Sequence, residues 1–267
     1  MATTAEDEEA KRLMGEWGLD KEDIQVDDVP DDDDDIHTFD DYMEQYRRED
    51  CVPHDDELDH IILGTNNLEE ALKQFYEMTD LKPIMVVSLK GVGTKSARLA
   101  FESCQFLEIM GPDPAHMGMP LAKKLAALPD GELVPFHYAI RSKDKMKAEI
   151  WKECDLTCDK VTMVSQDRGS AWTWTMAILE GHDQGGLVPY LVDWGESKHA
   201  AARLPVIGSL DSLKVTSGSD SPVHTLLDGI GRVTVATGKS SLELTFTSAK
   251  GKHTFKTLVP GGIEFPK

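Results

Sequence analysis

The spacing of apolar residues between positions 57 and 195 predicts a β-α-β-β-β module that occurs twice. In the first copy, residues 58–64 (LDHIILG) have the pattern of a strand, and residues 67–76 have that of an amphipathic helix capped by asparagine. Three further strands are predicted between residues 84 and 110, before the sequence Gly-Pro-Asp-Pro breaks the pattern.

The same order follows in the second copy. A strand is predicted at residues 134–142 and a helix at residues 145–153, and three more strands complete the copy. Two local similarities support duplication, because EMTDLK and KECDLT follow the two helices and QFLEIMG resembles PYLVDWG at the last strand of each copy. A shorter third copy is predicted near the C-terminus, with Ser212 in the place of the strand histidine.

The first 56 residues differ from the rest because they are acidic almost throughout, with an unbroken run at Asp31–Asp35. A few apolar residues there predict two short amphipathic helices joined by a disordered tract, either as a solvated tail or as an arm that docks a partner. The predicted organisation is an N-terminal segment 1–56, a domain 57–195 with modules 57–114 and 132–195, and a partial third βαβ-type module 196–267 packed on that domain.

Composition narrows the class of protein. A chain of 267 residues with 40% apolar content can bury a core, and a net charge of −20 disfavours nucleic acid and anionic membranes as partners. No apolar stretch approaches the ~18 residues of a membrane span, and the acidic N-terminus is unlike a secretory or transit sequence. Four irregularly spaced cysteines indicate reduced thiols. Together, these features predict a cytoplasmic protein.

Strand alternation brings three chemically capable side chains to one face. If Ile61 and Leu63 pack on the helix, then His60 faces the concave side of the sheet. The same parity turns His137, Ala139 and Arg141 inward on the fifth strand. On the fourth strand it turns Glu108 inward.

Two imidazoles and a carboxylate with open coordination positions suit Zn, Ni, Co, Mn or Fe as a divalent ion that acts as a Lewis acid. A further carboxylate would act as base or fourth ligand, and Asp193 is the acid on the last strand of the second copy. The ungapped repeat, however, aligns Glu108 with Val192, so Asp193 faces inward only if its strand has a bulge or a different register. Hydrogen-bonded core histidines and an outer-face Asp193 are the alternatives.

Other candidates have simpler explanations. Trp172, Trp174 and Met176 form a stripe at period two, which is typical of a core and could also form a substrate wall. The segment Gly91-Val-Gly-Thr-Lys-Ser lacks the spacing of a phosphate loop and is predicted to be a turn between strands.

Taken together, several motifs resemble the glyoxalase-like domain of the vicinal oxygen chelate superfamily. They are LDHIILGTNNL from residue 58, GVGT from residue 91, FLEIMGPDP from residue 106, HYAIRS from residue 137 and PYLVDW from residue 189. The resemblance implies an α+β fold in which paired βαβββ modules form a cup-shaped, barrel-like mixed sheet.

Carried over by position, the resemblance implies metal ligands at His60, Glu108, His137 and Asp193, with Glu108 and Asp193 also in catalytic roles. Arg141, Trp172 and Trp174 are the predicted substrate-binding residues. The superfamily includes metal-dependent lyases, epimerases and dioxygenases as well as binding proteins without a metal.

Three hypotheses follow. The first is a divalent-metal-dependent lyase or isomerase that acts on a small oxygenated metabolite. A homodimer is a further expectation, and the sequence leaves open whether one chain or two complete the site, as two do in some relatives. The second is a metal-free protein that binds or sequesters an apolar ligand in the cup. The third is an assembly protein that uses the acidic N-terminal segment.

Overall fold

The structure is a computed structural model, and it describes residues 45–89, 92–167, 170–182 and 184–257. The helices predicted in the acidic N-terminal segment, including the run Asp31–Asp35, lie outside the described residues.

The first module has the predicted element order. Its helix begins where the Asn67 side chain accepts a hydrogen bond from the Glu70 backbone N–H, and it ends at Asp80, which adopts a left-handed conformation. The elements are β1 (Glu57–Gly64), α1 (Leu68–Thr79), β2 (Ile84–Leu89), β3 (Thr94–Phe101) and β4 (Phe106–Pro112).

The second module repeats this order after a short helix, α2 (Pro120–Ala126), that links the two copies. Its crossover helix is shorter than predicted, with six residues, and its last strand has only four. The elements are β5 (Val134–Arg141), α3 (Ala148–Glu153), β6 (Thr157–Asp167), β7 (Ser170–Glu180) and β8 (Tyr190–Asp193).

Strand pairing shows the duplication directly. The order across the two modules is β2-β3-β4-β1-β5-β8-β7-β6, so each copy places its first strand beside its last. Those neighbours are parallel in both copies, β1 with β4 and β5 with β8, while β1 and β5 join the modules antiparallel. The predicted α+β fold of paired βαβββ modules in a curved mixed sheet is therefore confirmed.

The C-terminal part of the chain extends the same sheet, because β9 pairs with β3. Its element order is again β-α-β-β-β, but here the first strand lies between the second and the third, unlike in the two modules. The elements are β9 (Val206–Ser217), α4 (Val223–Leu226), β10 (Val233–Thr237), β11 (Ser241–Ser248) and β12 (Gly251–Thr257). The division at residues 56 and 195 stays a prediction.

The sheet has two differently packed faces. The outer face buries Ile61, Leu63 and Leu107 among the residues packed with α1 and the C-terminal strands. The concave face has its own apolar cluster, which includes Ile62, Phe106, Ala139, Val192, Leu121 and Leu125. Helix α2 and the segment around residue 200 therefore pack onto the concave side, beside the strands that carry the candidate site.

The prediction of four reduced thiols is wrong for one pair. Cys51 and Cys104 form a disulfide, with a Cα–Cα distance of 5.3 Å, whereas Cys154 and Cys158 are free thiols. The two half-cystines are 53 residues apart in sequence, and only the fold brings them together. Within the described residues, no helix is both long enough and apolar enough to cross a membrane.

Candidate functional site: a buried Asp-His-Tyr chain

A β-bulge at the start of the sheet's central strand places Asp59 in the interior. Leu58 lies opposite Ile140 and His60 lies opposite Ala139, so Asp59 has no partner across the β1–β5 pair. Strict alternation along this strand predicts that Asp59 shares the helix-facing side with Ile61 and Leu63, but the bulge inserts one residue and redirects its side chain. Asp59 is fully buried.

Four donors surround the Asp59 carboxylate. Oδ1 contacts His60 Nδ1 at 2.5 Å. Oδ2 accepts from Trp194 Nε1 at 2.9 Å, His199 Nε2 at 3.0 Å and Arg141 Nη1 at 3.2 Å. Burial acts to raise the pKa of Asp59, but the interactions with His199 and then with His60 outweigh it and hold the pKa well below its usual value. Asp59 is therefore a buried anion at neutral pH.

Arg141, a predicted substrate-binding residue, is instead part of this internal network. Its Nε donates to the His54 carbonyl at 3.1 Å, and its Nη1 also lies 3.4 Å from the Cys104 carbonyl. Glu57 is 3.7 Å from Nη2. The guanidinium thus stabilises the Asp59 carboxylate, and its other contacts are also with protein groups.

His60 links the carboxylate to a tyrosine. Because Asp59 is ionised, Nδ1 of His60 carries the proton and donates to it, which leaves Nε2 as the acceptor for the Tyr190 hydroxyl. Burial, followed by the charges of Glu108 and Asp59, raises the pKa of Tyr190 well above its usual value. The phenol therefore keeps its proton at neutral pH and donates it into the chain Tyr190–His60–Asp59.

Glu108 faces the same concave side but has its own partners. Oε1 accepts from Ser96 Oγ at 2.5 Å and from Arg98 Nη2 at 3.1 Å. Burial acts to raise the pKa of Glu108, but the charge of Arg98, together with the hydrogen bonds from Ser96 and Arg98, lowers it below the usual value. The Phe106 ring stacks on His60 at 4.2 Å between centroids and lies 5.5 Å from the Arg98 guanidinium carbon, so it contacts both residues.

His137 packs against the same tyrosine. Its ring centroid lies 5.3 Å from that of Tyr190, and its Nδ1 contacts the Tyr138 backbone, 2.9 Å from the nitrogen and 3.0 Å from the oxygen. Burial lowers the pKa of His137 to about 3. His137 is therefore a neutral imidazole at pH 7, which contributes shape and polarity without charge.

The fourth predicted ligand lies elsewhere. Tyr190 and Val192 belong to the concave cluster and Leu191 to the outer one, so alternation turns Asp193 to the outer side, where Oδ1 accepts from the Gly195 backbone N–H at 2.9 Å. The apolar Val192 occupies the place that corresponds to Glu108. Asp193 instead lines a surface cleft together with Trp174. The side chain of Trp172 lies outside the described residues.

These surroundings test the expected metal site. Both ring nitrogens of His60 have hydrogen-bond partners, Glu108 is paired with Arg98, and Val192 offers no ligand atom. Within the described part of the chain, no three His, Cys, Asp or Glu side chains are grouped so that they could hold a metal ion. The residues present therefore do not fit a resident divalent metal at this position.

The sequence analysis missed the residues that complete the chain. Asp59 stands beside a recognised histidine, but only the bulge reveals its direction. Tyr190 lies on the predicted last strand with the inward parity, which is a usable signal. His199 belongs to a segment with no strand pattern and comes to Asp59 over 140 positions of sequence.

A match to a known sequence profile identifies the family of this chain. A sequence profile described as a glyoxalase-like domain matches residues 58–231, which is more than half of the chain and extends beyond the predicted end of the domain at residue 195. The chain therefore belongs to the glyoxalase-like domain family, within the vicinal oxygen chelate superfamily, whose members commonly use divalent metals. A comparison with curated proteins found no match.

Solved structures with a similar arrangement include methylmalonyl-CoA epimerase from Mycobacterium tuberculosis, with 17% identity, 54% of this chain and 93% of that chain covered, and a TM-score of 0.39. Another is the Streptomyces coelicolor methylmalonyl-CoA epimerase in complex with 2-nitronate-propionyl-CoA, with 16% identity, coverage of 53% and 96%, and a TM-score of 0.38. A hypothetical protein from Bacillus halodurans C-125 has 22% identity, coverage of 53% and 96%, and a TM-score of 0.40.

Proposed function

We propose that this protein is a glyoxalase-fold enzyme that transfers a proton to or from a small oxygenated metabolite, in a reaction of the lyase or isomerase type. The observation that carries the proposal is the hydrogen-bonded chain from Asp59 through His60 to Tyr190 on the concave face. A buried carboxylate that orients an imidazole, which in turn accepts from a hydroxyl, is the general arrangement that activates a hydroxyl for proton transfer.

The proton inventory of this chain determines how it works. A phenol with a pKa well above its usual value does not ionise on its own, so Tyr190 gives its proton to His60 Nε2 only as it receives one from the substrate. His60 then becomes an imidazolium, and the adjacent Asp59 anion stabilises that cation. In the reverse direction the same three groups return a proton to the substrate, and an isomerisation results when that proton adds at a different atom or on a different face.

Arg98 supplies the positive charge that the developing substrate anion needs. Its Nη2 donates to Glu108, and its buried Nε has no hydrogen-bond partner among the described residues. A donor in this state is suited to an oxyanion because the interaction forms when charge appears. In this proposal Arg98 takes the place that a Lewis-acidic metal has in other members of the superfamily.

Deuterium incorporation tests the proposal without a known substrate. A panel of small oxo- and hydroxyacids is incubated with the protein in D₂O, and proton NMR follows the loss of C–H signals next to a carbonyl. For a compound that exchanges, Tyr190→Phe and His60→Ala are each expected to lower the rate by about 10²- to 10⁴-fold.

Tyr138→Phe is the matched control. It also removes a buried hydroxyl with a raised pKa, but Tyr138 belongs to the outer cluster and donates to the Leu187 carbonyl at 2.6 Å. The proposal fails if no compound exchanges faster than with buffer, or if Tyr138→Phe and Tyr190→Phe lower the rate equally.

Metal dependence, the first hypothesis from the sequence, is decided by a separate measurement. Protein purified without chelator is analysed for bound metal, and its melting temperature is recorded with added Zn, Ni, Co, Mn or Fe. Because His60 and Glu108 are already hydrogen-bonded, we expect no stoichiometric metal. We also expect added metal to raise the melting temperature of the wild type no more than that of His60→Ala. A shift of several degrees that His60→Ala abolishes would restore the metal-dependent mechanism.

Cytoplasmic location and a homodimer remain part of the proposal. Size-exclusion chromatography with light scattering on the full chain and on a variant without residues 1–56 measures the oligomeric state. A change on truncation would support the assembly role of the acidic segment.

A further inference from the structure

We propose that a surface cleft beside β7 and β8 is a second binding site, for a planar aromatic anion, and that its occupancy is transmitted to Asp59. Binding stands independently of the proton-transfer function, whereas the consequence for activity rests on it. The cleft has a volume of about 580 Å³, within the range of small-molecule sites.

Two tryptophans form the aromatic wall of the cleft. The Trp174 and Trp194 rings lie 5.5 Å apart between centroids at an angle of 29°. Trp194 is almost completely buried, while Trp174 is half-buried. A flat ring with hydrophobic faces is the ligand shape that such a wall favours, since offset stacking adds about 0.5–1.5 kcal/mol beyond the area buried.

Two basic residues also line the cleft. They are Lys198 and Arg203, and the Arg203 side chain is half-buried, so its position is restricted. Asp193 and Glu196 line the same cleft, where Asp193 accepts from the Gly195 N–H and Glu196 is exposed. A carboxylate or a phosphate on an aromatic ring matches the guanidinium of Arg203 and the ammonium of Lys198.

The lining of the cleft is connected to Asp59 through one lining residue and through a neighbour of Lys198. Trp194 donates to Oδ2 through Nε1, and His199, which lies between the two basic residues in sequence, donates to the same oxygen. His199 also begins the helical turn Ala200–Arg203, because its Nδ1 accepts from the Ala201 backbone N–H at 3.3 Å. Trp194 and His199 are two of the four donors to Asp59, the carboxylate that orients His60. A ligand bound in the cleft therefore displaces these two donors.

Calorimetry with 1-naphthoate, and with uncharged 1-naphthalenemethanol as its matched neutral ring, tests the binding. Wild-type protein is expected to bind the anion at least tenfold more tightly than the alcohol. Trp174→Leu is expected to weaken naphthoate binding about three- to tenfold, and Lys198→Ala by a similar factor. Lys160→Ala, at an exposed position on β6 outside the cleft, is the control and should change nothing.

The transmission is read by proton NMR from the indole Nε1–H of Trp194, assigned by its loss in Trp194→Phe. Titration with naphthoate is expected to shift this signal together with the imidazole N–H signals that disappear in Asp59→Asn. No binding, binding unchanged in both Trp174→Leu and Lys198→Ala, or binding without any shift of these signals would each overturn the inference. A shift in a protein that catalyses no exchange would refute only the proton-transfer function.

Discussion

Asp59 and Trp194 lie 135 residues apart in sequence, and a hydrogen bond of 2.9 Å joins the carboxylate of the first to the indole of the second. Asp59 belongs to the first strand of the first module, and Trp194 directly follows the last strand of the second. This contact and the neighbouring one from His199 connect the first strand of the first module to the segment after the second module through one carboxylate. The stability of the whole domain should therefore depend on the charge of Asp59.

Removing that charge while keeping the shape is the first prediction. Asp59→Asn leaves the buried Arg141 without its anion and places an amide NH2 donor among buried N–H donors, so we expect a loss of about 3–5 kcal/mol in the free energy of unfolding. Urea denaturation measures this loss. Asp211→Asn, at an exposed carboxylate 3.7 Å from Lys252, should cost less than about 1 kcal/mol. Equal losses in the two variants would contradict a special role for Asp59.

The pH dependence of stability is the second prediction. The pKa of His137 is about 3 in the folded protein against 6.5 as its usual value, so between these values the unfolded chain binds the proton and the folded one does not. Stability therefore falls as the pH decreases from about 6.5 toward 3. The lowered pKa of Asp59 acts in the same direction at lower pH, because that contribution is complete above the carboxyl's usual pKa and is lost toward the folded value.

His137→Gln separates the two contributions. It should reduce the slope of unfolding free energy against pH between about 6.5 and 4 and leave the steeper acid loss below that range. The measurement is a series of urea titrations at fixed ionic strength. A slope that is unchanged in the variant would show that His137 is protonated in the native state.

Attachment of the C-terminal strands provides a third prediction. Gly208 has a φ of +133°, and a Cβ there would meet the Thr247 carbonyl oxygen at 2.1 Å, a backbone atom that cannot move aside easily. Gly208→Ala should therefore cost about 3 kcal/mol or more. Gly229→Ala, with φ of +77° and open space around its Cβ, should cost about 1–2 kcal/mol. Thermal denaturation of both variants checks the difference, and the reverse order would refute it.

The disulfide provides a fourth. Closing a loop of 53 residues removes conformational entropy from the unfolded chain worth about 4 kcal/mol, so Cys51→Ser should lower the unfolding free energy by up to that amount under oxidising conditions. Adding dithiothreitol to the wild type should have the same effect, whereas Cys154→Ser, at a free thiol, should not. Peptide mapping with and without reductant reports the bond directly. Two free thiols at positions 51 and 104 would contradict it.

The linear pattern was sufficient for the architecture. Apolar residues at period two, punctuated by glycine and proline, define the strands of both modules, and local duplication predicts that β1 and β5 are equivalent. The same alternation predicts that Asp193 shares a face with Leu191 and that Val192 takes the place corresponding to Glu108, since side-chain direction along a regular strand depends only on parity.

The sequence by itself determined the fold, the duplication and the inward direction of His60, Glu108 and His137, because these follow from local periodicity. Only the tertiary structure decided what those residues contact. The bulge that redirects Asp59 depends on the β1–β5 pairing, and Tyr190 and His199 reach the site from distant segments. Whether a histidine is free to bind a ligand depends on such long-range partners, which no local pattern encodes.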